Sequence, residues 1–287
     1  MSTMSTPWFK IKKSILLPAL ERANGVIETR NTVPILGNIK IVTEKDSVIL
    51  TATDLDIQIS EKVYMISGGD KDDGLTLPFA QLFAFVRRLP DSSDILFDIN
   101  PQNAAVKVSS GRAHLTLGSL PVSDYPVFSQ KTMRTTLTAK AATLLSCLQR
   151  AAVAISNEET RYYLNGVFMH LVEGDLVMVS TDGHKLARVR LNEDQFEIDQ
   201  RVETDGNGEA SAQGIGLNIV PTKTVKMLMK ALAKNDQNVS IDFSESHIRM
   251  SYSEHDGAFE IVSKLIDGTF PDYARVIPQP APSDGVV

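Results

Sequence analysis

TRNTVPILGNIKIVTEKDSVILTATDLDI, from Thr29 to Ile57, organises this chain, because it returns as TRYYLNGVFMHLVEGDLVMVSTDGHKLARV from Thr160 to Val189. The match pairs Gly37 with Gly166 and Thr53-Asp54 with Thr181-Asp182. Further along, LPFAQLFAFVRRL (Leu77 to Leu89) realigns with VPTKTVKMLMKAL (Val220 to Leu232), and SLPVSDYP from Ser119 with SKLIDGTFPDY from Ser263. A fixed-period repeat outranks every other signal in a sequence, since it makes one structural unit occur twice. The offset grows from 128 to 144 along the match, which places one insertion of roughly 15 residues between Asn192 and Gly214. That stretch is acidic and Gly-rich, as a solvent loop would be.

Each copy reads as helix, strands, helix, strands. Leu144, Leu148, Ala151 and Ile155 recur at helical spacing, and Val225, Leu228, Met229 and Leu232 follow i, i+3, i+4, i+7. In the first copy Leu16, Ala19, Leu20, Ala23 and Ile27 form one stripe, with Ser14 as the expected N-cap and Pro18 in or just after the first turn. Between the helices come short alternating runs such as VFMHLV, LVMVST, VSIDF and HIRMSY, which predict antiparallel sheet. The fold class expected is α+β, a tandem repeat of a domain with two helices packed on antiparallel sheets. The boundaries expected are 7–131 and 132–270, with 271–287 as a linker.

With 287 residues, 43% of them hydrophobic, the chain has material for two cores. No run of about 18 apolar residues occurs, so no membrane span is expected and the localisation expected is cytoplasmic. Cys147 is the only cysteine and sits on an apolar helix face, where it fills core.

The net charge of −6 hides an uneven distribution. Residues 10–24, 78–88, 139–156 and 221–234 carry +3, +2, +2 and +4, leaving −17 for the rest. In the last of these helices Lys223, Lys226, Lys230 and Lys234 form one stripe opposite the apolar one. Like charges in a row repel, and a polyanion would offset that repulsion. Lysines without base-reading side chains suit phosphates, hence sequence-independent, salt-sensitive binding to duplex nucleic acid.

Enzyme motifs fail. His114, His170, His184, His247 and His255 show neither HxxxH nor HExxH spacing, and no Gly-rich phosphate loop precedes a helix, so no metal and no cofactor are expected. TDGHK (Thr181 to Lys185) lacks a nucleophile to make Asp182 and His184 a catalytic pair, and reads as a structural or binding turn. Asp267 and Asp272 read as part of a domain-closing linker, because the first copy lacks the first acid. No catalytic residue is expected.

In order along residues 7–278, TRNTVPILGN, TATDLDI, TRYYLNG, STDGHKLA and SKLIDGTFPDYARVIP resemble the motifs of the bacterial replicative sliding clamp, the β subunit of the DNA polymerase III holoenzyme. The resemblance implies the DNA-clamp fold and a non-catalytic accessory subunit that tethers a DNA-directed DNA polymerase to duplex DNA, a processivity factor. It implies a head-to-tail homodimeric ring for the full-length family. Here the sequence ends soon after Ile277, so a third domain is expected to be absent, and with it the means to encircle DNA in the family's manner. The alternative is a peptide-docking module with no hold on DNA.

By the resemblance, Arg30, Arg150, Tyr162, the loop 157–159 and the lysine stripe face DNA. A pocket for the linear peptide motifs of the polymerase, the clamp loader and repair polymerases would use Arg161, Tyr163, Leu164, Thr181, Gly183, His184, Lys185, Leu186, Pro271, Arg275 and Val276. Lys185 stands where the family has arginine, which weakens a bidentate contact. A subunit interface would use Phe85, Arg112, His114, Leu115 and Leu117, with Leu115 and Leu117 expected as an exposed apolar edge.

Overall fold

The computed structural model describes residues 6–28, 33–68, 74–126, 128, 133, 135–200, 218–233, 235–254 and 257–278. Arg30, Lys234, His255, most of the expected insertion and the end of the chain lie outside the described residues.

The first half runs β1 (Thr6–Lys12), α1 (Lys13–Ala23), β2 (Asn38–Glu44), β3 (Ser47–Thr53), β4 (Ile57–Tyr64), β5 (Ser67–Gly68), β6 (Gly74–Pro78), α2 (Phe79–Arg88), β7 (Asp94–Ile99), β8 (Val106–Ser110), β9 (Ala113–Leu117) and β10 (Leu120–Pro121). The second repeats the order: β11 (Thr135–Lys140), α3 (Ala141–Ala151), β12 (Gly166–Val172), β13 (Asp175–Thr181), β14 (Leu186–Leu191), β15 (Phe196–Gln200), β16 (Asn218–Pro221), α4 (Thr222–Leu232), β17 (Asn238–Phe243), β18 (His247–Glu254) and β19 (Gly257–Lys264).

Pairing shows the duplication more sharply than sequence does. One sheet of each half has the order β5-β1-β7-β8-β9 or β15-β11-β17-β18-β19, and the other β10-β6-β2-β3-β4 or β16-β12-β13-β14, where a lone Ile219–Ile266 bridge takes the place of β10. Strand register also corrects one detail. Asn38 opposes Pro78 as Gly166 opposes Pro221, so Gly166 corresponds to Asn38 and not to Gly37.

The halves are joined by a strand pair. β19 lies antiparallel on β4, from Gly257 opposite Val63 to Ser263 opposite Ile57, and fuses two sheets into one of ten strands. Side chains lock the seam. Lys223 Nζ meets Glu28 Oε1 at 3.0 Å and Asp54 Oδ2 at 2.5 Å, Lys264 Nζ meets Asp56 Oδ1 at 2.9 Å, and Lys230 Nζ donates to the Glu21 carbonyl at 2.7 Å. Glu61, 5% exposed, is paired by Arg22, whose guanidinium also lies 5.9 Å over the Phe259 ring. The four helices consequently lie side by side in the order α2, α1, α4, α3.

Local expectations need three corrections. α1 starts at Lys13 with Lys12 as a cap that makes no side-chain bond, so Ser14 is inside the helix and Pro18 is its sixth residue. Lys13 is buried, its ammonium bonded to Asp91 Oδ1 at 2.9 Å and to the Leu89 carbonyl just past the end of α2, where a cation is favoured. It adds nothing to an exposed basic face. Part of the expected solvent loop, Phe196–Gln200, is strand β15, paired with β11. Cys147 is buried, as its helix face required.

The seam yields a stability prediction. Arg22→Ala strands a buried carboxylate and should cost about 3 kcal/mol, whereas the Arg22→Met, Glu61→Leu double variant should recover most of that. Urea denaturation of the three proteins measures it.

Candidate functional site

The turn between β13 and β14 is built by two side chains. Asp182 Oδ1 accepts from the amides of His184 and Lys185, both at 2.9 Å, while Thr181 Oγ1 accepts from the Gly183 amide at 3.1 Å and donates to the Lys185 carbonyl at 2.8 Å. Those amides, Lys185 first and then His184, hold the Asp182 carboxyl below the usual carboxylate range. The first half builds the same turn, with Asp54 accepting from Asp56 and Ile57 and Thr53 bonded to Ile57 and Leu55. Leu55 there bears φ +79°, and its counterpart Gly183 bears +90° at no steric cost.

What surrounds the two turns differs. Asp54 and Asp56 are occupied by Lys223 and Lys264 across the seam. Around the second turn, Gly183, His184 and Lys185 are exposed, and Arg161 lies alongside. Arg161 forks onto Glu158 at 2.7 and 2.8 Å, donates to the Asp182 carbonyl at 3.2 Å, and stands where a Cβ on Gly183 would meet its Nη1 at 2.7 Å. The Arg161 hydrogen bond lowers the Glu158 carboxyl.

An apolar cluster separate from the main core adjoins this turn. Leu164, Phe168, Val177, Val179, Ile219 and Phe270 form it, with Tyr163, Leu186 and Tyr273 packed against it. Phe168 and Phe270 stack at 4.8 Å, and His170 Nε2 meets the Tyr273 hydroxyl at 2.9 Å. Burial, then Arg188, lowers the His170 pKa, which favours the neutral ring. Pro271, Arg275 and Val276 continue from Phe270 and are exposed, Val276 at 69%. Of the expected pocket residues, Arg161, Thr181, Gly183, His184 and Lys185 meet at the turn and Tyr163, Leu164 and Leu186 at the cluster, while Pro271, Arg275 and Val276 lie along the exposed segment after Phe270. Phe168, His170, Phe270 and Tyr273 were not singled out, although alternation in VFMHLV puts Phe168 and His170 on one face.

The expected DNA-facing residues divide. Lys226 and Lys230 are exposed on α4, and Tyr162 is 53% exposed on the 3-10 turn Glu159–Leu164. Arg150 bends back onto its own helix, to the Ser146 carbonyl and Cys147 Sγ. Lys223 instead belongs to the seam. Burial alone would lower its pKa, but Asp54 and Glu28 outweigh this and raise it, so the ammonium is tied to carboxylates of the first half. At the expected interface, Arg112 and His114 are exposed and Phe85 and Leu115 half-buried. Leu117 is 1% exposed, so the apolar edge expected there is already covered by its own core.

Comparisons with known proteins agree with this architecture. The family models for the DNA polymerase III beta subunit match twice, the N-terminal domain over residues 8–129 and the central domain over residues 138–272. The beta sliding clamp of Caulobacter vibrioides is 34% identical over 273 residues, 94% of this chain and 68% of that protein. The chain belongs to the beta sliding clamp family. It is a processivity factor of DNA replication. The Escherichia coli K12 beta sliding clamp is 29% identical over 271 residues, again 68% of its length. Among solved structures, the Bartonella birtlesii clamp bound to griselimycin superposes with a TM-score of 0.79 at 36% identity, covering 96% of this chain and 68% of that one. The Caulobacter crescentus clamp gives 0.80 at 33%, covering 96% and 69%. No helix among the described residues is long and apolar enough to cross a membrane.

The turn gives a pH prediction. With the native Asp182 pKa below the unfolded value of about 3.9, its charge stabilises fully above that pH and the contribution is lost as pH falls through the native pKa. Asp182→Asn should therefore be less stable than wild type at neutral pH, with the gap shrinking below about pH 4, as thermal melts across pH will show.

Proposed function

We propose that this clamp tethers the replicative polymerase to duplex DNA through sequence-independent contacts from its helical layer, and docks partners on the surface beside the Thr181–Lys185 turn. One observation carries the reading: β4–β19 pairing sets four helices side by side, with exposed Lys226 and Lys230 on α4. Arg150 and Tyr162 extend the proposed DNA face, while Arg30 and Lys234, proposed as DNA contacts by the family resemblance, lie outside the described residues. Phosphate contacts without base readout allow sliding, since one set exchanges for the next at little cost.

That surface suits a short peptide with apolar side chains. Half-buried Leu186 and exposed Val276 offer apolar surface, with Leu164 and the stacked Phe168 and Phe270 buried as the layer beneath the turn. Arg161, Tyr163, Thr181, Gly183, His184, Lys185, Pro271 and Arg275 would frame it. Partners of this kind are the polymerase catalytic subunit, the clamp loader and repair polymerases. The domain division we propose is 7–131, 132–270 and a linker from 271, and the site of action is the cytoplasm. The assembly surface we propose is the face of β9 and α2, with Phe85, Arg112, His114 and Leu115. The subunit performs no chemistry of its own.

A second reading, a peptide-docking module with no hold on DNA, draws on the pairing of Lys10, Lys13, Arg22 and Lys223 with carboxylates, which reduces the free positive charge. Fluorescence anisotropy of labelled duplex across a salt series separates the two. The first predicts sequence-independent binding, with Lys226→Gln and Lys230→Gln each reducing the log–log salt slope by about 0.9. No binding at low salt contradicts it.

For the docking surface, titration of a labelled peptide from a polymerase tail should show Val276→Asp weakening affinity about 10-fold. Unchanged affinity removes this site from the account.

A further inference from the structure

Strand register makes Gly166 the counterpart of Asn38, so His170 on β12 stands where the first half has Val42 on β2. The fold itself does not ask for an imidazole at this position. A half-buried histidine is costlier to place there than a valine unless its ring finds a polar partner. It finds one in Tyr273, 103 residues further along the chain, whose hydroxyl lies 2.9 Å from His170 Nε2. The two rings meet edge to face at 5.6 Å. His170 also stacks on Phe168 at 4.6 Å, and Phe168 stacks on Phe270 at 4.8 Å. Two neighbours on one face of β12 therefore hold two residues of the segment after β19, one by stacking and one by a hydrogen bond.

What that segment carries decides what the clasp does. Tyr273–Val276 is a single 3-10 turn, capped by Asp272, which accepts from the Ala274 amide at 3.3 Å and pairs with Arg275 at 2.8 Å. Ala274, Arg275 and Val276 are exposed, and Tyr273 is the residue by which the turn packs on the cluster of Leu164, Phe168 and Phe270. Leu186, from the end of the Thr181–Lys185 turn, packs on the same cluster.

We propose that His170 is a positioning residue for partner docking: its bond to the Tyr273 hydroxyl fixes the 3-10 turn on β12 and so sets Arg275 and Val276 at a fixed distance from the Thr181–Lys185 turn. The inference rests on the reading of that surface as the docking site, and adds what holds it in shape.

The clasp answers to pH. On the face of the sheet that carries His170, β13 contributes Asp175 and β14 contributes Arg188 and Arg190. Arg190 is taken up by Asp175 and Glu173, and on the segment Asp272 and Arg275 take up each other. Burial first, and then Arg188, hold the imidazole below its usual range, so the clasped ring is neutral. A released ring titrates near about 6.5. The clasped value being the lower one, the clasp holds fully above about pH 6.5 and weakens as pH falls through the lowered value.

The test is fluorescence anisotropy of a labelled peptide from a polymerase tail, titrated with the full chain at about pH 8 and about pH 5.5. His170→Val, which restores the residue of the first half, and Tyr273→Phe, which removes only the hydroxyl, should each weaken binding roughly 2- to 5-fold at the higher pH. Losing one hydrogen bond shifts the clasped population by about that factor, and affinity follows the competent fraction. The double variant should be no weaker than either single one, because both remove the same bond. His170→Gln can still bond Tyr273 but does not titrate, so it should bind as wild type does at the higher pH and escape part of the loss that wild type shows at the lower. His184 is present in both proteins, so the difference between the two profiles belongs to His170. Binding weakened by Val276→Asp but untouched by His170→Val and Tyr273→Phe overturns the proposal and leaves the docking reading standing, and identical pH profiles for wild type and His170→Gln overturn it too. A wild-type chain that takes up no peptide, or a Val276→Asp variant as tight as wild type, overturns both.

Discussion

The antiparallel pairing of β4 with β19 is the constraint on which the rest depends. Two repeats tied only by a linker would be free to reorient. A shared ladder of seven residue pairs, from Gly257–Val63 to Ser263–Ile57, ties them into one sheet and sets α1 beside α4. The ion pairs at its border carry a second consequence. Lys223 and Lys264 are spent on holding the halves together, so part of the charge that looks like a nucleic-acid surface in one dimension is structural in three.

The same seam explains why two nearly identical turns differ in what they offer. Asp54 and Asp182 organise the same Thr-Asp loop with the same backbone bonds. In the first half the second half's lysines cover it. In the second half the loop stays exposed beside Arg161 and an apolar cluster floored by stacked Phe168 and Phe270. Duplication thus yields a structural turn and a candidate binding turn from one motif, the difference lying in what packs beside each.

Much of the fold was legible in the sequence because a repeat constrains both copies at once. Helical stripes such as Leu144, Leu148 and Ala151 are buried as their spacing demanded, and the alternating runs are strands. The misreadings share a physical origin in tertiary contact. Nothing local reveals that Lys13 reaches Asp91, that Lys223 reaches Asp54 across the repeat, or that Leu117 lies under its own core. Gly37 and Gly166 matched by identity, whereas strand register assigns Asn38 to that place. At the candidate site, the turn residues and Leu164 were visible as motif. Phe270 and Tyr273 were not, because they matter through contacts with Phe168 and His170 more than 100 residues away.

The central claim is that β4 and β19 are neighbours inside one sheet and not two edges, and amide hydrogen exchange of the intact chain tests it most directly. The account predicts that amides in Ile57–Tyr64 and Gly257–Lys264 that point into the seam exchange as slowly as those of β3 and β18, through global unfolding. Fast, edge-like exchange of these amides, with β3 and β18 still protected, would contradict it.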